Sequence, residues 1–252
     1  MVRKTLKENA VGDSGVFRLR GLENTRIESL SDGVFAIAIG LLLISSDFPK
    51  TFEELKLFMR DFIPFAGAIT LLILIWYQHY LFFIRYGLRD GKTVAVNTLL
   101  LFLVLFYVYP LKFLFKILYS IYYNIFTGSK DGMRELFTVT LPGEEAHQLM
   151  VIYGLGAAAV FLVLALLYYM ALRKKEELEL NKEEESATRV SMNLNLVLSS
   201  VPILSTIIAG FYLFGSKTFI VSGFTYMLYM IIMPIYSVIL KRRQSQQVDR
   251  SV

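Results

Sequence analysis

Few side chains in this sequence can do chemistry in a nonaqueous setting, and several stand at the start of one apolar segment. The stretch RIESLSDGVFAIAIGLLLISSDF puts Glu28, Ser31 and Asp32 in its opening turns, WYQH supplies Trp76 and His79 from a second apolar stretch, and Asn97 lies in a third. Ionisable groups inside apolar segments are expensive unless they are paired or reach water, so these positions need an explanation. One is a proton relay through Asp32 and His79, since imidazole titrates near neutral pH. A metal site is a weaker fit, because the chain has two histidines and no cysteine. A Ser31, Asp32 and His79 triad has the right residue types but the wrong geometry. Adjacent residues on a helix point about 100° apart, and the sequence has no G-x-S-x-G elbow. No enzyme is expected. The remaining reading is an interhelical hydrogen-bond network of Ser31, Asp32, His79 and Asn97, with His79 open between relay, ligand and packing roles.

The middle of the same segment carries a different pattern. At about 100° per residue, Ile37, Leu41, Ile44 and Phe48 fall in a stripe about 60° wide, with Gly33 and Gly40 on its edge, while Asp32 lies about 140° from Ile37. One face could therefore line an apolar pore while another anchors the helix; on spacing alone the stripe fits ordinary helix packing or lipid contact better. A T-V-G-Y-G filter is absent from the sequence, so selection by a ring of backbone carbonyls is not available. Asp47, Glu53 and Glu54 follow the segment and could concentrate cations at a mouth, or be plain surface charge.

The elements that must hold these residues are membrane spans. The chain is 55% hydrophobic, above the roughly 45–50% of soluble domains, and the excess falls in long runs. The expected fold is all-α, a polytopic membrane protein with six transmembrane helices at about residues 27–46, 62–84, 93–118, 149–172, 190–214 and 219–240. Residues 1–25 and 241–252 are expected to be cytosolic tails flanking a channel-like domain at 26–240. Pro202 and Pro234 fall inside the last two spans, where a kink is usual. With both termini in the cytosol, about 18 of the 26 basic residues lie inside, which sets the orientation. Basic residues flank the apolar runs and form no patch, so membrane orientation rather than nucleic acid explains the net charge of +5. The run RKKEELELNKEEE reads as a solvated extension of the fourth span, Tyr119 to His147 as an external loop, and FEELKLF as a short interfacial helix.

Arg26, Ser31 and Asp32 in RIESLSDGVFAIAI resemble the R-x-x-x-F-S-D signature of the transmembrane protein 175 family, and Trp76 with His79 is similar to that family's second-helix pair. Specific matches are confined to the first three spans, and the six-span layout extends the resemblance over most of the chain. The resemblance implies a potassium-permeable channel in the plasma membrane of a prokaryote, a homotetramer whose four copies of the first helix line the pore. Potassium and other monovalent cations would be its ions, with no cofactor. It implies that Ile37, Leu41 and Ile44 form the hydrophobic constriction, and that Arg26, Ser31, Asp32, Trp76 and His79 hold the first helix in place. Two positions depart from the pattern. Leu30 replaces the usual phenylalanine, and Gly40 stands where bacterial members often carry a hydroxyl residue. The second change implies weaker preference for potassium over sodium unless Ser45 or Ser46 compensates.

Overall fold

A computed structural model describes residues 17–44, 49–142 and 145–236. The described chain is helical throughout, in the order α1 (Arg26–Ile44), α2 (Phe52–Arg60), α3 (Phe62–Tyr86), α4 (Gly91–Thr127), α5 (Lys130–Glu135), α6 (Ala146–Arg173), α7 (Lys182–Gly210) and α8 (Gly215–Tyr236). A π-helical turn, Leu136–Thr140, follows α5, and α8 begins and is interrupted by short 3₁₀ turns. Among the described residues, five stretches are long and apolar enough to cross a membrane: α2 with α3, then α4, α6, α7 and α8. The shorter α1, 19 residues long, opens with Arg26, Glu28 and Asp32, and its claim to be a sixth span rests on its position.

The described residues form two large apolar cores and a small third one of Ile117, Leu141 and Ala146. Phe82, Phe83 and Tyr86 of α3 meet Leu164, Leu167 and Tyr168 of α6 in one of the large cores. In the other, Phe35, Ala38 and Leu42 of α1 pack on Leu72 of α3 and on Val104 and Val108 of α4.

Three expectations are revised. The segment Arg173 to Glu185 does not extend the fourth span. Helix α6 stops at Arg173, the chain turns through Glu179 at φ 47, and Asn181 starts α7 with a capping box to Glu184. Asn followed three residues later by Glu is a helix-start signal, and it outweighs the helix propensity of the charged run. Second, the stretch from Tyr119 is not a loop until Gly128. Without an earlier breaker, α4 continues to Thr127 and ends on Gly128 at φ 67. Its 37 residues make it about 55 Å long, well beyond a hydrocarbon core of about 30 Å. Third, the end of the expected amino-terminal tail is docked. Phe17 is buried against Tyr86 at 5.9 Å between ring centroids, and Gly21 N–H donates to the Ile84 carbonyl at 3.0 Å. A Cβ at Gly21 would lie 2.2 Å from the Phe83 oxygen, so only glycine permits this approach.

The docked segment is held by a clasp. Arg20 forms a two-pronged bond to Glu184, at 2.9 Å and 2.8 Å, and the Arg18 N–H donates to the same carboxylate at 2.8 Å. Glu184 is 1% exposed. On the same end of the bundle, the Tyr86 and Thr188 hydroxyls bond at 2.7 Å, and Lys174 Nζ pairs with Asp90 at 2.9 Å. At the α7 proline, Pro202 cannot supply the N–H that would normally bond to the Leu198 carbonyl four residues earlier. The Tyr229 hydroxyl of α8 donates to that carbonyl instead, at 2.5 Å. Hydrocarbon offers no water to take such a role, so the inter-helix bond serves both backbone satisfaction and α7–α8 packing.

Two stability measurements follow. Glu184→Gln leaves the Arg20 guanidinium without its anion in a sheltered site and is expected to cost about 3 kcal/mol in chemical denaturation; a loss below about 0.5 kcal/mol would mean that the clasp carries no weight. The second concerns pH. Partial burial pushes the Asp90 carboxyl up, but the Thr93 hydroxyl, the Lys174 ammonium and the Thr93 N–H outweigh it and hold the group at about 2. A depressed carboxylate contributes stability that is complete above its unfolded value near 3.9 and is lost as pH falls toward 2. The stability gap between the native chain and Asp90→Asn is therefore flat above about pH 5 and closes in acid, read by melting temperature against pH.

Candidate functional site

Helix α1 starts with reciprocal bonds. Thr25 Oγ1 accepts from the Glu28 N–H at 3.3 Å, and Glu28 Oε2 accepts from the Thr25 N–H at 3.2 Å. This capping box gives Glu28 a structural occupation at the helix entrance. One turn further, fully buried Ser31 donates to the Ile27 carbonyl at 2.8 Å and accepts from Asn97 Nδ2 of α4 at 2.9 Å. With its amide nitrogen donating, Asn97 presents Oδ1 to His79 Nε2 of α3 at 2.9 Å, so that imidazole nitrogen carries the proton. One polar chain thus ties α1, α4 and α3 together. The His79 ring sits between Phe35 and Phe83, at 5.7 Å and 4.7 Å between centroids.

Asp32 belongs to a separate bond, accepting from Trp76 Nε1 at 2.8 Å. Ser31 and Asp32 face different partners, and Asp32 and His79 are not bonded to each other. The triad and the relay therefore both lack the contact that would join their members. Arg26 is exposed and makes no side-chain bond among the described residues, so the structure brings together five of the six anchor residues. Among the described residues, no group of three or more histidines and carboxylates could hold a metal ion.

Beyond the anchor, α1 has two unlike faces. Phe35, Ala38 and Leu42 continue the Ser31 side into the core. The opposite face shows Leu30 at 64% exposure and Ile37 at 60%, and a Cβ at Gly33 or Gly40 would meet nothing within 4 Å. Leu41 is half-buried beside them. This face carries no polar side chain from Gly33 to Leu41, and at Gly33, Ile37 and Gly40 it has no cover among the described residues, while Leu41 leans on the core. Ser45, Ser46, Asp47 and the side chain of Ile44 lie outside the described residues. The two remaining acids of the expected outer mouth have local duties. Glu53 pairs with Lys56 at 2.8 Å, and Glu54 caps α2, accepting from the Lys50 N–H at 2.6 Å and the Thr51 N–H at 3.3 Å.

Sequence reasoning passed over two cations at the far end of α1. Lys112 is only 9% exposed within α4 and lines a small cleft with Leu42, Leu43 and Asp61, while Lys116 pairs with Asp61 at 3.0 Å. Two lysines one turn apart in LKFLFK were as conspicuous in an apolar span as Asp32, and the same desolvation argument would have singled them out.

An all-helical bundle that has, among the described residues, five stretches long and apolar enough to cross a membrane, and whose first helix is pinned by polar bonds on one side and bare on the other, defines an integral membrane protein. Comparison with known proteins specifies it further. The family described as "Endosomal/lysosomal potassium channel TMEM175" matches residues 26–107. A protein of Marivirga tractuosa named "Potassium channel" is 47% identical over 241 residues, covering 94% of this chain and 95% of that protein. The crystal structure of a variant of the potassium channel MtTMEM175, in complex with a Nanobody-MBP fusion protein, superposes with a TM-score of 0.83 at 47% identity, covering 92% of this chain and all of the other. The chain belongs to the TMEM175 family of potassium channels.

The anchor predicts graded effects. Asn97→Ala strands the buried His79 N–H and removes the donor that Ser31 Oγ accepts, and is expected to lower stability by about 1–3 kcal/mol. Trp76→Phe removes one bond to an exposed carboxylate and should cost less than about 1 kcal/mol. Equal thermal shifts for the two would contradict the chain of bonds as the main tether.

Proposed function

We propose that this chain is a potassium-permeable cation channel, in which four copies assemble with the bare face of α1 toward a central pore. The observation that carries this reading is the uncovered carbon face of Leu30, Gly33, Ile37 and Gly40, set opposite a helix side fixed in rotation by Ser31. A lone chain in a bilayer could leave that face to lipid, but the kinship with potassium channels supports a water-facing role for it.

Rings of Ile37, Leu41 and Ile44 form the constriction, which closes by dewetting and opens when α1 tilts or rotates. Gly33 and Gly40 leave room for close approach of neighbouring copies. Discrimination between ions falls to side chains, with Ser45 and Ser46 as the hydroxyl candidates and Gly40 as the position that weakens selectivity. Asp47 is the remaining acid for drawing cations to the outer mouth, since Glu53 and Glu54 are engaged locally. Six spans with both termini in the cytosol place the clasp of Arg20 and Glu184 on the cytosolic side of a prokaryotic plasma membrane.

Purified protein in planar bilayers tests the reading through its reversal potential in potassium-versus-sodium gradients. A channel gives a reversal potential set by the permeability ratio, with weak to moderate preference for potassium. A current that appears only when a proton gradient is imposed would establish a coupled carrier instead. For the gate, Ile37→Asn hydrates the constriction and is expected to raise the closed-state leak severalfold; an unchanged leak would remove Ile37 from it.

A further inference from the structure

Behind the pore helix lies a cavity of about 440 Å³, enclosed by α3, α4, α6, α7 and α8. Its floor is Leu72, Val104 and Val108, the same residues on which the buried face of α1 packs. From the floor it opens past half-buried Leu71 and Leu114 to exposed Leu118, so the cavity is continuous with the lateral, apolar surface of the bundle. The lining runs from Val104 to Leu118 of α4 and from Met150 to Phe161 of α6, from the middle of each helix toward the end away from the clasp, which sets the cavity toward that side of the bilayer.

Its wall offers little to a polar ligand, since three of its four tyrosine hydroxyls are already bonded. The hydroxyl of Tyr153 is bonded to the Pro110 carbonyl, that of Tyr229 to the Leu198 carbonyl, and Tyr226 bonds to Ser205. Among the described residues Tyr107 is the one lining tyrosine whose hydroxyl has no hydrogen bond, and water needs two to four polar partners to occupy a cavity. The volume is also about three times that of apolar cavities of roughly 150 Å³ that admit a benzene ring. A space this large, dry in character and open to hydrocarbon, fits one flexible apolar chain.

We propose that this cavity is a binding site for a single lipid acyl chain from the leaflet away from the clasp. A second copy of the protein is not its occupant, because the uncovered face through which copies would meet lies on the other side of α1 from the cavity floor. The bound chain supports Leu72, Val104 and Val108 from behind and thereby the seat of α1. Binding itself is independent of whether α1 conducts ions, so the test reads occupancy rather than current.

The full chain, reconstituted in phosphatidylcholine vesicles that carry a diazirine on one acyl chain, is irradiated and its labelled peptides are mapped by mass spectrometry. Label is expected on Met150, Tyr107 or Tyr229 inside the cavity, in addition to outward-facing Ile152 and Leu155 of α6. Gly223 lines the cavity and faces open space, so Gly223→Phe fills it and should cut interior label about tenfold with Ile152 and Leu155 labelled as before. Leu71→Trp at the rim provides the same test should the first variant fail to fold. Label confined to Ile152 and Leu155 in the native chain, or interior label unchanged in a folded filling variant, overturns the proposal. So does efficient disulfide dimerisation of Leu118→Cys in this otherwise cysteine-free chain, which would put a second copy at the mouth.

Discussion

The hydrogen bond between Asn97 and Ser31 fixes which way the first helix faces. A helix of mostly apolar residues in hydrocarbon has little to choose between rotations about its axis, since lipid tails are as apolar as leucine. One buried polar side chain breaks that degeneracy, because turning Ser31 toward lipid keeps its own bond to the Ile27 carbonyl but leaves the buried Asn97 amide N–H without its acceptor. Ser31 thus locks onto Asn97, Asn97 onto His79, and the Phe35, Ala38 and Leu42 side follows into the core. The opposite face, with Gly33, Ile37 and Gly40, is then presented outward as a consequence. Asp32 with Trp76 adds a second, more exposed tie on a different side of the helix. The signature residues are in this view an orienting device, and the carbon face is what they orient.

The same economy of polar groups runs through the bundle. The Leu198 carbonyl, deprived of its partner by Pro202, is met by a tyrosine from the next helix, and the Pro110 carbonyl is met by Tyr153. On the clasp side, where water is at hand, a carboxylate can be used at full charge. Glu184 gathers bonds from Arg20, Arg18 and Asn181 and holds the segment leading into α1 against the α6–α7 hairpin. Helix α1 is thereby fixed at its start by charge, one turn inside by amide and hydroxyl, and along its length by carbon.

Much of this was legible in the sequence because it depends on spacing within one helix. The stripe of Ile37 and Leu41, its separation from Asp32, and the shared depth of His79 and Asn97 all follow from helical periodicity. The family resemblance rested on those residues. What stayed hidden depends on partners far apart in the chain. Nothing near Arg20 announces Glu184, which lies 164 residues away, and a short basic segment at a terminus reads as a tail until its partner is placed. The hairpin after Arg173 was hidden differently, since Asn181 and Glu184 did signal a helix start inside a run whose composition suggested continuity. Lys112 and Lys116 stand openly in an apolar span, but the Asp61 that pairs with Lys116 lies just before α3 and no spacing within one helix links them.

The native chain has no cysteine, which allows the orientation of α1 to be measured residue by residue. Single cysteines at Gly33, Ile37 and Leu41, and at Phe35 and Ala38 for contrast, can be exposed to a small cationic, water-soluble thiol reagent while current through reconstituted protein is recorded. The account predicts rapid modification and block at Gly33, Ile37 and Leu41, with Phe35 and Ala38 protected. Modification at Phe35 and Ala38 with Ile37 and Leu41 inert would contradict it, because the face that Ser31 turns inward would then be the one that meets the ions.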